Sequence, residues 1–543
     1  MKKFLLVVLI LLFQNSFAKQ VTKTEKLAAT CKVWGFLKYY HPKVASGAIN
    51  WDNELLRILP LIQDTNTNDE FSVVLEKWID GLGPIAEGKQ SPEPNDIVFF
   101  DKNFDLNWFN NDIFSKKLSK KLKFVEQNRF QSNEEFGPDF DVFKNGKYFD
   151  LDVSNKNNQF LMLFMYWNII EYYFPYKYVM DQKWDKTLDR IIPLIADAKN
   201  EDDFYLAFRK MTTTLNDSHV EFTKYHSNKG NKYFPADCKI IDEKLVVTTI
   251  LGDSLADADN IKVGDVITKI NDKTIKELIL ENRELVCASN ESAYLNKIVK
   301  LLLRSDSENV KVEFLNDNKI EIKMMTWFNY HDSHRNEFKK GAMKKKEKFK
   351  LLDNNIGYVD MGVIKPRNIP SMIDQLKSTK AIIFDMRNYP QNTWKEISDF
   401  LNPHQKVFCN YTMPYLNYPG RYSWVEGRKC GFENKDFYKG KVIVLLNEDS
   451  MSQAEWTAMC FQTAGNTTII GSQTAGADGN VVELDFKGFH TRFSGIGVYY
   501  PDGRKTQRIG IKPDIEVKPT ISGIKQGKDE VLDRALLFLE IGK

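Results

Sequence analysis

The chain has 543 residues, with 76 Lys and Arg against 73 Asp and Glu and a net charge of +3. Both signs are interspersed, so composition implies neither nucleic acid nor an acidic surface as a partner. Six cysteines, none in a C-x-x-C pair, give no metal or redox signature, and the length calls for three or four domains of roughly 150 residues each.

Lys2 and Lys3 precede an apolar run from Phe4 to Phe13, and Ser16-Phe17-Ala18 supplies a small-x-small site before Lys19. This reads as a signal peptide over 1–18 and predicts an exported chain, periplasmic or secreted. The run is about half the ~20 residues a membrane span needs. No later stretch is long or apolar enough, so no integral span is expected after cleavage.

An internal repeat follows. Trp34, Tyr39, Tyr40, Pro42, Trp51, Asp52, Leu55, Arg57, Pro60 and Phe71 recur as Trp167, Tyr172, Tyr173, Pro175, Trp184, Asp185, Leu188, Arg190, Pro193 and Phe204, each 133 residues on. A constant offset of this kind predicts two copies of one helical unit, at 19–83 and 156–225. Leu163, Trp167, Ile170 and Phe174 mark one face of a helix, and Cys31, aligned with Phe164, is expected to be buried. The second copy runs on into Asn216-Asp217-Ser218-His219, whereas the first ends in Gly83-Pro84-Ile85. Residues 84–155 between them show no clear period.

Alternating segments at Leu245–Ile250 and Val310–Phe314 read as strands of a small domain over 235–325. His331 and His334 form an H-x-x-H pair without a third ligand in view, so no metal is expected. Lys339–Lys348 reads as a basic, solvated linker. From Ile356 onward, short apolar strands at Ala381–Phe384, Val442–Leu446 and Thr468–Ile470 alternate with helices, which predicts a parallel α/β sheet. The chemistry of such sheets sits at the strands' carboxyl ends. Here those ends lead into Asp385–Thr393, Asn447–Ser452 and Gly471–Asn480.

Ser452 follows a buried strand and opens a helix-like segment. Its hydroxyl would lie at the positive end of that helix, beside the free N–H of Gln453. Ser452-x-x-Glu455 is equally a capping box, and on local pattern alone the cap is the simpler reading. A serine hydrolase must draw its base from seven histidines or use a lysine.

Ser452-Gln453-Ala454-Glu455 resembles the S-x-[SA]-E nucleophile motif of the tail-specific, or C-terminal processing, peptidases of family S41. Asp385-Met386-Arg387-Asn388-Tyr389-Pro390 is similar to that family's D-L-R-x-N-x-G-G loop, and Gly510-Ile511-Lys512-Pro513-Asp514-Ile515 to its G-I-x-P-D-I strand. Ile261–Asn271 resembles the centre of a PDZ domain, and Asp217-Ser218-His219 a D-[GS]-H motif. The resemblance implies a multidomain α+β fold. Its parts would be a helical repeat region, a PDZ-like domain, an α/β catalytic core of ClpP/crotonase type with a mostly parallel sheet at 350–520, and a C-terminal helix at 521–543.

Two departures bear on mechanism. The loop Gly471–Gly479 holds no Lys where the Ser–Lys branch of the family carries one, which points to the tricorn-like Ser–His branch. Gln507 stands where that branch has a Glu, and Gln391-Asn392 replaces a Gly-Gly pair. The implied activity is serine endopeptidase action on unfolded or tail-exposed extracytoplasmic proteins, without a cofactor. Ser452 would be nucleophile and His219 base, supported by Ser218 and Gln507, with the N–H groups of Gln453 and Gln391 as oxyanion donors. Val263, Gly264 and Asp265 would hold the peptide tail. The rival expectation is a catalytically impaired relative that binds peptides through its PDZ-like domain.

Overall fold

The computed structural model describes residues 21–87, 94–131, 152–225, 230–251, 260–317, 319–329, 347–486 and 488–542. The expected signal peptide, His226, the H-x-x-H pair and most of the basic linker lie outside these. The chain forms two compact units, each described here by itself.

The first unit comprises residues up to Tyr178, Gln182–Met211 and Pro414–Ser423. Helices α1 (Lys23–Tyr40), α2 (Trp51–Gln63) and α3 (Asn68–Gly81) are followed by the short strand β1 (Phe99–Phe100) and helix α4 (Lys116–Gln127). Then come α5 (Lys156–Tyr173), α6 (Asp185–Asp197) and α7 (Glu201–Thr213). Thr22 caps α1 in a capping box with Glu25, satisfying first-turn donors that no helical carbonyl reaches. In α1 and α2 the indoles of Trp34 and Trp51 each donate to the other's backbone carbonyl, at 3.2 and 2.9 Å. Trp167 and Trp184 do the same in the later triplet, at 3.3 and 3.0 Å. Cys31 is fully buried. Residues 414–423, which the sequence places in the catalytic core, belong to this unit, where Phe99 and Phe100 pair with Ser423 and Tyr422.

The second unit carries two sheets that matter for the site. Strands β3 (Ala236–Ile241), β4 (Lys244–Ile250), β5 (Val266–Ile270), β6 (Asn309–Asn316) and β7 (Lys319–Thr326) form one of them, after β2 (Glu221–Lys224). Its strand order is β7-β6-β5-β4-β3. Helices α8 (Ile275–Glu281) and α9 (Glu291–Leu302) close over a core that includes Leu245, Ile267, Ile298 and Trp327.

The other sheet contains β8 (Phe349–Leu352), β9 (Ile356–Asp360) and β10 (Ala381–Asp385), separated by helix α10 (Ile369–Leu376). Helix α11 (Trp394–Leu401) and strands β11 (Lys406–Pro414) and β12 (Tyr422–Cys430) lead on to β13 (Lys441–Leu446). Then come α12 (Gln453–Gln462) and β14 (Thr467–Gly471). Strands β15 (Val481–Phe486), β16 (Phe489–Ser494), β17 (Gly497–Tyr499) and β18 (Ile515–Glu516) and helix α13 (Glu530–Ile541) complete the chain. The strand order is β8-β9-β10-β13-β14-β18, parallel throughout except at β8.

The apolar runs are explained by burial on both faces. Alternate residues point to opposite sides of a strand. Ile382, Phe384, Val442 and Val444 enter one core with Met372, Ile397 and Phe461. Ile383, Ile443, Leu445 and Ile470 enter a second, covered by Val531 and Ala535 of α13. Each such side chain contributes about 1.5–3 kcal/mol on burial.

Candidate active site

Strand β13 ends in a turn whose shape is set by Ser450. Its hydroxyl donates to Met386 O at 2.7 Å and accepts from Asn447 N at 3.1 Å, tying the turn to the end of β10. Ser452 then takes φ 56°, ψ −116°, a region costly to a residue with a Cβ, on the order of 1–3 kcal/mol. Its N–H donates to Ala477 O at 2.9 Å and to Glu455 Oε2 at 3.2 Å. Helix α12 begins at the next residue, so the Gln453 N–H is one of the first-turn donors beyond reach of any helical carbonyl.

Glu455 does more than cap the helix. Fully buried, it accepts from the Thr474 hydroxyl, from Gly476 N at 2.8 Å and from Ala477 N at 3.0 Å. It therefore clamps the loop after β14 against the Ser452 turn. Burial pushes its carboxyl up to about 7, against the pull of these donors. Asp478, next in the loop and buried, is raised well above the usual carboxylate range by burial and by Glu455.

His219 sits in the turn that precedes β2. That strand pairs antiparallel with β16, Glu221 opposite Arg492, which carries the turn to the end of β16. The His219 N–H donates to Asp217 Oδ1 at 3.0 Å, and Ser494 N donates to Asp217 Oδ2 at 2.9 Å. His219 Nδ1 lies 2.9 Å from Ser494 Oγ and 3.9 Å from Asp217 Oδ1. Burial lowers the imidazole pKa from its ordinary 6.5, Asp217 and Glu221 oppose that, and Arg492 and Lys297 add to it. The Lys297 ammonium bonds to the carbonyls of Ser218 and Val220, both at 3.0 Å, so it is a strut for this turn.

The loop 474–477 joins the two candidates. Ala475 O accepts from the Ser218 hydroxyl at 2.8 Å, Ala475 N donates to Ser450 O at 3.0 Å, and Ala477 O holds Ser452 N. Among the described residues no hydrogen bond joins His219 to the Ser452 hydroxyl.

Several expectations change. The Ser218 hydroxyl is engaged, donating to Ala475 and accepting from Ser289 N at 2.9 Å, so it ties the His219 turn to the 474–477 loop. Gln507 is fully buried, yet among the described residues neither atom of its amide has a partner; the group on His219 Nδ1 is Ser494. The Gln391 N–H is spent on Met361 O at 3.2 Å, which removes it as an oxyanion donor and leaves Gln453. Gln391's neighbour Asn392 accepts from the Gln453 side chain at 3.2 Å. The Val263-Gly264-Asp265 turn is closed on itself: Gly264 N bonds Val247 O, Asp265 N bonds Lys262 O, and the Asp265 carboxylate takes Lys262 N. The N–H groups of Gly264 and Asp265 are thus already taken. An open groove lies elsewhere, between the outer edge of β3 and α9, in a cavity of about 910 Å³ whose lining includes Ile240, Ile241, Leu295 and Val299.

Asp217 was visible only as part of a motif, and Ser494 carried no signal, because its place depends on the pairing of β2 with β16. Among the described residues no cluster of three His, Cys, Asp or Glu could hold a metal, and no helix is long and apolar enough to cross a membrane.

Residues 355–517 match the family model described as peptidase family S41, and 225–296 that of a PDZ domain. The core is thus similar to peptidase family S41 over this segment. Probable CtpA-like serine proteases are similar to about half of the chain. That of Staphylococcus haemolyticus is 22% identical over 286 residues, 51% of this chain and 50% of its own. That of Staphylococcus aureus is 24% identical over 278 residues, with the same coverage. The chain thus spans about half the length of these curated relatives. Among solved structures, mature CPAF complexed with lactacystin superposes with a TM-score of 0.57 at 12% identity, covering 70% of this chain and 97% of that one. A second structure, of mature CPAF, gives 0.55 at the same identity, covering 70% and 96%. At such identities the likeness is one of fold. The S41 segment contains Ser452, Glu455, Ser494 and Gln507, whereas His219 precedes both matched regions.

Proposed function

We propose that the chain is an exported serine endopeptidase that acts through an acyl-enzyme. The observation that carries this reading is the strained turn at Ser452, clamped by Glu455 to the same loop that holds the His219 turn. Strain of this sort presents a side chain at the end of a strand and persists only where its surroundings enforce it.

In the reaction, Ser452 Oγ forms a bond to the scissile carbonyl carbon as its proton passes to His219 Nε2. The Gln453 N–H, aided by the α12 dipole, holds the oxyanion. Collapse breaks the C–N bond, and His219 returns the proton to the leaving amine. Water, deprotonated by His219, then releases the acyl group. Substrates are unfolded or tail-exposed extracytoplasmic proteins, whose tail would add a strand to the free edge of β3 and place side chains against Leu295 and Val299. We read the parallel sheet as a ClpP/crotonase-type core and the two helical triplets as copies of one unit, α1–α3 and α5–α7.

A second reading, peptide binding without catalysis, is favoured by one observation, the unpartnered Gln507 in the position of an orienting acid. The test is cleavage of an unfolded casein-like protein by the purified chain. The proposal expects hydrolysis that Ser452→Ala abolishes; cleavage retained by Ser452→Ala would overturn it. Tail peptides retained without any cleavage would establish the second reading.

A further inference from the structure

We infer that Ser494, with Asp217, is the positioning residue that fixes the tautomer of His219, the task for which the sequence offers Gln507. The importance of that tautomer for turnover rests on the peptidase reading above. The arrangement itself rests on geometry.

The pairing of β2 with β16 places Glu221 opposite Arg492 and Phe222 opposite Thr491. Continued by two residues, it sets His219 against Ser494. A closed ring results. Asp217 Oδ1 takes His219 N, Asp217 Oδ2 takes Ser494 N, and Ser494 Oγ meets His219 Nδ1 at 2.9 Å. All three residues are buried, so water does not compete for these bonds. A serine hydroxyl can donate or accept, and alone it would leave either tautomer open. The Asp217 carboxylate decides between them. Its Oδ1 stands 3.9 Å from Nδ1, where it attracts an N–H and repels a lone pair. The proton therefore sits on Nδ1 and points to Ser494 Oγ, leaving the lone pair on Nε2, the nitrogen a general base must offer.

The same carboxylate faces the imidazolium formed when Ser452 gives up its proton. Glu221 adds to that attraction, whereas Arg492, Lys297 and burial oppose it. Gln507, both amide atoms unpartnered among the described residues, takes no part.

The test is nitrogen NMR of the full chain with labelled histidine, the His219 signals being identified among seven histidines by their loss in His219→Gln. The wild-type protein above pH 7 is expected to show His219 with Nδ1 protonated and Nε2 unprotonated. Ser494→Ala should mix the tautomers, Ser494→Thr should restore the single one, and Gln507→Leu should leave it unchanged. A wild-type His219 protonated on Nε2 overturns the inference even if no variant folds, as does a shift in Gln507→Leu alone. In turnover, Ser494→Ala should lower kcat on the order of 10²-fold, within what general-base catalysis contributes, with KM held and activity recovered in Ser494→Thr. Unchanged kcat in a Ser494→Ala protein that cleaves substrate also overturns it. A chain that cleaves nothing yet shows the expected tautomer keeps this inference and defeats the peptidase reading.

Discussion

Glu455 and His219 are two buried titratable groups that pull the pH response in opposite directions. The Glu455 carboxyl, ordinarily near 4.5, is raised to about 7 by burial. Between those values the folded chain keeps a proton that the unfolded chain has released, so this group's contribution to stability falls as pH rises through the window. Urea denaturation at pH 5 and 7.5 should show wild type losing stability relative to Glu455→Gln as the pH rises; parallel curves would contradict this. His219 is lowered from 6.5 by burial. Its neutral form stabilises the fold fully above 6.5, and that contribution is lost as the pH falls below it. The acid limb of kcat/KM should accordingly lie below pH 6.5; a limb above it would contradict a buried neutral base. At this scale Ser452 and His219 stood out as candidates because short motifs carry them. Ser494 was not, since nothing near it in sequence announces a partner 275 residues away. Gln507 was misread because a position matched to a pattern does not say which side chains meet.

Helix α1 meets α5 at Gly35, where an added Cβ would overlap the Asn168 amide. Asn168 uses that closeness to donate to Cys31 O at 3.0 Å and Phe164 O at 2.8 Å. Gly35→Ala should cost about 1–3 kcal/mol by overpacking, read as a shift in denaturation midpoint, and Asn168→Ala in the same chain should recover part of it. A neutral Gly35→Ala would show that the helices have room to part. The two positions are 133 residues apart, the offset of the sequence repeat. The pattern thus gave the helices, while their crossing required a structure. The parallel strands were equally legible, as the short apolar runs Ala381–Phe384, Val442–Leu446 and Thr468–Ile470, most of whose residues are buried. At the expected peptide loop Val263–Asp265 the N–H groups of Gly264 and Asp265 are spent within the domain, which the sequence does not announce because glycine-containing turns look alike whether their N–H groups are free or taken.

For the second unit as a whole, both faces of the parallel sheet must be covered, and α13 covers one of them. Asp529, just before α13, pairs with Arg387 at 2.6 and 2.7 Å, and Arg387 also grips Asp385 at the end of β10. The last helix is therefore tied to the rim of the sheet from which Ser452 projects. Deleting residues 528–543 should expose Ile443, Leu445 and Ile470 and abolish cooperative unfolding of this unit, detected by calorimetry; a truncated chain that melts like the full one would contradict the two-core account. The central claim is that Ser452 is a nucleophile served by His219. The most direct test is to treat the purified chain with a fluorophosphonate and locate the adduct by peptide mass spectrometry. The account predicts a single adduct on Ser452, absent in Ser452→Ala and slowed by orders of magnitude in His219→Ala; no adduct, or one that persists in Ser452→Ala, would contradict it.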